Sequence, residues 1–200
     1  MSSVISICNL ALSNIGKSDI QDIDEASAEA KACKQFYEHT RDVLLQSYPW
    51  RFATITAALA SVTNTKADRW EYAYQRPNDC LKVIRITDVY DLPYSASDGS
   101  LIIAGAHAYH IEGDKLFCYL APAYLTYTRR LVDPSKYPPL FIEALAWHLA
   151  VRLAMPLTRD PKIRADAYQL AVQTFGQAGV ADANEVREVE DVPSRAIEAR

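Results

Sequence analysis

The spacing of apolar residues changes at Tyr48-Pro49, and that change limits what the chain can fold into. Over residues 26–48, Ala30, Cys33, Phe36, Tyr37, Thr40, Val43, Leu44 and Ser47 recur at helical spacing. Ser27 is placed as the cap, and Glu29 falls in the first turn, where the helix dipole favours an acid. Pro49 disfavours helical geometry at Tyr48 and ends the helix. Beyond it the period is two. Residues 52–59 read as a strand, although their alanines leave a short helix open, and Trp70, Tyr72 and Tyr74 alternate with Glu71, Ala73 and Gln75 as in a half-buried strand. Such a chain has to lay a helical layer against a sheet. The residues expected at that helix–sheet seam are Pro49, Trp50, Phe52, Trp70, Tyr72 and Tyr74.

The rest of the chain sorts the same way. Val4, Cys8, Ala11, Leu12 and Ile15 predict a helix over 3–15, with Gly16 as its left-handed stop, and a polar link follows over 17–25. Further strands are expected at 81–86, 101–104 and 124–130. A hairpin joins 109–111 to 116–119 through Glu112-Gly113-Asp114-Lys115. A third helix is expected over 139–155, with Phe141, Leu145, His148, Leu149 and Arg152 on one side and Pro156 as its stop. A fourth starts at Asp160-Pro161 and runs through Ile163, Ala167, Leu170, Ala171 and Thr174 to Gly176 or Gly179. Residues 181–200 carry few large apolar groups and are not expected in the core. The expectation is therefore an α+β fold. Residues 1–48 and 136–179 form a helical bundle from both chain ends, 49–135 a β-sheet insertion, and 180–200 an extended C-terminal arm.

Composition excludes little and suggests restraint. Half of the 200 residues are hydrophobic and 23% are charged, as in ordinary globular proteins, and the net charge of −4 argues against a dedicated nucleic-acid binder. Cys8, Cys33, Cys80 and Cys118 form no C-x-x-C pair and read as reduced core residues. Met1-Ser2-Ser3-Val4 lacks the positive region of a signal peptide, and there is no run of eighteen apolar residues. A chain made in a cytoplasm, with no membrane span, is expected.

Reactive constellations are sparse. Gly16-Lys17-Ser18 resembles the end of a phosphate-binding loop, but Ala11 stands where that motif needs a glycine, and a helix precedes it where a strand is required. His107 and His110 are three apart, which on a strand sends them to opposite faces, and His39 and His148 sit alone on helices. Asp22, Asp24, Glu25 and Glu29 cluster at a helix start, where dipole complementation accounts for them. Trp50, Phe52, Trp70, Tyr72 and Tyr74 could stack on bases, yet no run of Lys or Arg interleaves with them, so packing is the expected role. No catalytic, metal-binding or cofactor-binding residues are expected.

The ordered set of segments resembles the tail tubular protein A family, the head-to-tail adaptors of short-tailed bacteriophages. The resemblance rests on Cys8-Asn9-Leu10-Ala11-Leu12-Ser13-Asn14-Ile15-Gly16, the link at 20–25 and Tyr48-Pro49-Trp50-Arg51-Phe52-Ala53. It continues through residues 70–74, Arg76-Pro77-Asn78-Asp79-Cys80-Leu81, the strand at 124–130, and Asp133-Pro134 leading into 141–153. It spans most of residues 5–178. It implies a structural protein of the virion that forms a ring, typically of twelve copies, between the portal protein and the tail nozzle protein. Genomic DNA would pass through the ring without sequence-specific binding, and the mildly acidic charge fits such a channel. The helices would build the ring, the β part would face the nozzle, and a C-terminal arm would grip the portal. The family's arms loosely match this chain around Val192, Pro193, Ser194 and Arg195, with Ile197 beside them. The alternative is a virion-associated polysaccharide hydrolase, which needs a carboxylate pair in a setting that keeps one acid protonated. No such pair is legible.

Overall fold

A computed structural model describes residues 3–88 and 107–185. Its first helix, α1 (Val4–Ser13), starts where Ser3 and Ser6 cap each other. The Ser6 N–H donates to Ser3 Oγ at 3.0 Å, and the Ser3 N–H donates to Ser6 Oγ at 2.8 Å. Gly16, at φ 69°, turns the chain out of the helix. The link that follows is pinned from below. Asn9 exchanges two 2.9 Å hydrogen bonds with the Ile20 backbone, and Ile20 is buried in the core. Helix α2 (Ala28–Ser47) is about 30 Å long. Ser27 caps it by accepting the Ala30 N–H at 3.1 Å, and Tyr48 leaves it in extended geometry. Of its expected stripe, Val43 and Ser47 are exposed, while Leu45 and Arg41 are buried instead.

The fold is α+β, as the change of period implies. Helices α3 (Pro139–Thr158) and α4 (Pro161–Asn184) return from the far end of the chain; α3 packs on α1 and α2, and α4 packs on α3. Helix α3 is the axis of this layer: Phe141, Ala144, Leu145, Ala146, Leu149, Ala150, Leu153 and Ala154 are buried on several of its sides. It is also long and apolar enough to cross a membrane, but here it is the core helix, packed by α1, α2 and α4.

Both C-terminal helices outrun their expected stops. Pro156 lies inside α3, which continues to Thr158 and ends at Arg159 in left-handed geometry, φ 56°. A proline so near the end costs one ladder bond in the last turn, and the Arg159 N–H to Met155 carbonyl bond at 3.1 Å closes that turn. Gly176 and Gly179 do not end α4, since neither adopts positive φ. Past them, Ala178 and Asp182 are buried, so packing holds the helix where propensity alone would release it. Residues 180–184 are thus helix, with Asp182 in the packed layer, and not the start of an extended arm.

The β-rich part is two sheets where one was expected. Strands β1 (Thr54–Ala58), β6 (Tyr124–Arg129) and β3 (Cys80–Thr87) form an antiparallel sheet in the order β1-β6-β3. Strands β2 (Tyr72–Gln75), β5 (Lys115–Cys118) and β4 (Tyr109–Glu112) form a second in the order β2-β5-β4. The expected hairpin is β4–β5; Gly113, at φ 60°, opens the two-residue turn between the paired Glu112 and Lys115. The expected strand at 101–104 lies outside the described residues. Leu125, Tyr127, Ile86 and Cys80 of the first sheet meet Tyr74, Leu116 and Cys118 of the second in a core of their own, separate from that of the helices. On the other face of the first sheet, Thr56 and Thr126 share a 2.8 Å hydrogen bond across β1 and β6.

The helix–sheet seam as a candidate functional site

The segment 48–53 places its rings by backbone geometry. Pro49 is exposed at the bend after α2. Trp50 then turns inward, 1% exposed, and donates its indole N–H to the Leu44 carbonyl at 2.8 Å, which satisfies one carbonyl near the end of α2. Residues Arg51–Ala53 form a single 3-10 turn before β1, so the strand expected from residue 52 begins at Thr54. The turn swings Phe52 toward the helices, where its ring meets Phe141 at 4.8 Å and Tyr137 at 6.1 Å. Trp50 packs edge-on against Phe141 at 5.0 Å and Phe175 at 5.6 Å. These rings join the end of α2, the start of α3 and the later turns of α4.

Asp182 completes the seam. Both of its carboxylate oxygens accept the Arg51 N–H, at 3.1 and 3.0 Å, 131 residues away in sequence. Burial raises its pKa, against which hydrogen bonds from the Arg51 and Phe52 backbone and the Arg51 charge act. Asp182 was not among the residues expected at the seam. The available signal was the spacing Ala167, Ala171, Phe175, Ala178, Asp182, which continues one stripe through both glycines.

Polar ties fasten the helical layer to the first sheet. Gln46 Nε2 donates to the Leu81 carbonyl at 3.3 Å. Asp42 joins the buried Arg41, at 2.8 Å, to Arg130 after β6, at 2.9 Å. Tyr137 donates to the Leu131 carbonyl at 2.5 Å, and burial pushes its phenol up to about 12. Tyr37, 3% exposed beside this network, is likewise pushed up by burial.

The six expected seam residues are therefore divided. Pro49, Trp50 and Phe52 sit at the seam. Trp70, Tyr72 and Tyr74 do not, because Tyr72 and Tyr74 belong to the second sheet, which packs in a core separate from that of the helices, and Trp70 lies just ahead of it. Tyr74 is buried between the sheets and donates its hydroxyl to the Leu120 carbonyl at 2.7 Å; Tyr72 is half-buried beside it. Trp70 precedes β2 and packs outside it, 4.9 Å from Tyr119 and stacked on His110 at 6.2 Å. Lys66, paired with Glu112, covers the buried Phe117 ring at 5.5 Å in the same outer layer. The arm residues Val192, Pro193, Ser194, Arg195 and Ile197 lie outside the described residues.

Among the described residues, no group of three or more His, Cys, Asp or Glu side chains is arranged to hold a metal ion. All four cysteines are free and buried. His148, on α3, contacts the Ala144 carbonyl at 2.8 Å through Nδ1 and the Phe175 ring at 5.9 Å, and burial lowers its pKa. The geometry is that of a mechanical joint: interlocked rings, a buried carboxylate holding a backbone N–H, and an ion pair, Asp42–Arg130, that bridges the layers. The chain matches no family model and no curated protein.

Proposed function

We propose that this chain is a structural adaptor of a short-tailed bacteriophage virion. It would form a ring, typically of twelve copies, between the portal protein and the tail nozzle protein, with the genome passing through its lumen. The observation that carries the reading is the ordered set of segments from Cys8 to residue 153. Its two ends supply the helices, and the β-rich segment is inserted between them. A subunit of that kind needs a rigid joint between a ring-forming layer and an outward β unit, and rings arise when heterologous contacts close by rotation. The Trp50–Phe52–Asp182 joint supplies the rigidity. No catalytic chemistry is assigned to it, and no DNA recognition beyond passage.

The test is particle mass and image. The purified chain, mixed with assembled portal, should yield a ring seated on the portal by electron microscopy and a discrete multi-copy mass by mass photometry. A chain that stays monomeric beside assembled portal, and is absent from virions by mass spectrometry, overturns the reading. The arm is tested separately. Because α4 runs to Asn184, the cut belongs after Glu185. Removing residues 186–200 should weaken portal binding by roughly tenfold or more. Thermal unfolding should stay unchanged; unchanged affinity removes the arm from the proposal.

A further inference from the structure

Beside the seam, a cavity of about 180 Å³ opens between the last turns of α4 and the start of α3. The rings of Trp50, Phe52 and Phe141 line it together with Leu140, Asp182 of α4 and Glu185 just after that helix. Two features make it more than a packing gap. Leu140 is 44% exposed, so the apolar wall continues to the surface. Asp182 is only 5% exposed, yet among the described residues it makes no ion pair; backbone N–H donation and the charge of Arg51 offset its burial only in part.

A desolvated carboxylate beside an apolar hollow gains from a cation delivered together with an apolar group, since burial strengthens a charge-assisted bond. We propose that this cavity receives a segment of a partner protein that presents an aliphatic side chain next to an arginine or lysine. The aliphatic group fills the hollow against Trp50 and Phe141, and the cation lies over Asp182 and Glu185. Charge complementarity selects this occupant: the charged residues lining the cavity are both acidic, so a basic segment adds the cation that Asp182 lacks, and an acidic or purely apolar segment does not. The inference stands apart from the adaptor reading, which says only in which assembly such a partner would be met.

The experiment is an NMR titration of the full chain with two capped tetrapeptides, Gly-Leu-Arg-Gly and Gly-Leu-Glu-Gly. It reads the Trp50 indole N–H and the Arg51 and Phe52 amides. The arginine peptide should shift these signals saturably, and the glutamate peptide should bind roughly tenfold more weakly. Asp182→Asn should shrink the difference several-fold. Glu185→Gln, at an exposed position, should shrink it several-fold and keeps the test alive should the first variant not fold. Equal binding of the two peptides, shifts confined to other residues, or no binding overturns the proposal. So does a dependence of these signals on protein concentration alone, which would mark a second copy as the occupant.

Discussion

Trp50 and Trp70 belong to one aromatic stretch of the sequence and serve different cores. Trp50 is enclosed by Phe52, Phe141 and Phe175, drawn from three separate parts of the chain, and its N–H is used to finish α2. Trp70 lies half-buried on the outside of the second sheet, among Tyr119, His110 and the Lys66–Glu112 pair. The contrast separates a ring that carries long-range order from one that covers a local surface. Enclosure by distant elements makes the first costly to remove; partial exposure leaves the second replaceable.

Four measurements break or sharpen that contrast. Trp50→Ala should cost about 3–5 kcal/mol in urea unfolding, and Trp70→Ala about 1–2 kcal/mol, because only the former leaves a cavity inside the helical layer. Equal losses would erase the distinction. Asp182→Ala should cost about 1–2 kcal/mol by leaving the part-buried Arg51 N–H without its acceptor. Its counterpart in the outer layer, Lys66→Ala, should leave stability nearly unchanged, since its partner Glu112 is largely solvated.

The pH dependence should also come from the helical side. Burial lowers the folded pKa of His148 from its ordinary 6.5, so the unfolded chain binds the proton more readily. The stability it contributes is whole above pH 6.5 and is lost as pH falls below that and through the lower folded value. Melting temperature should fall between pH 7.5 and about 5.5 in the parent, and less in His148→Gln. An identical fall in both would place the acid sensitivity elsewhere. Asp182 contributes the opposite slope within the carboxylate range: its raised pKa favours the protonated fold, and that stability is lost as pH rises through it.

Local chemistry was legible where it acts within a few residues. Ser27 as a cap, Gly16 and Gly113 as turns, Pro49 as the end of α2, and Asp160-Pro161 as the start of α4 all follow from groups that meet their partners within one turn. Periodicity located the helices and most of the described strands for the same reason, since a repeat of 3.6 or 2 is written into consecutive residues.

What the sequence determined by itself was the α+β class, the placing of helices at both ends, and the joint at Tyr48–Ala53. Tertiary structure alone decided which core each aromatic residue joined. Trp50 and Trp70 look alike in sequence, and their fates depend on Phe141 and Phe175 for one and on the pairing of β2 with β5 for the other. It likewise decided that α3 would pass Pro156 and that α4 would pass Gly176 and Gly179. Local propensities of about 1–3 kcal/mol at such positions yield to burial gained across the layer. Asp182 is the plainest case. Its role exists only because a backbone N–H from 131 residues earlier arrives at its carboxylate, and no local pattern records that meeting.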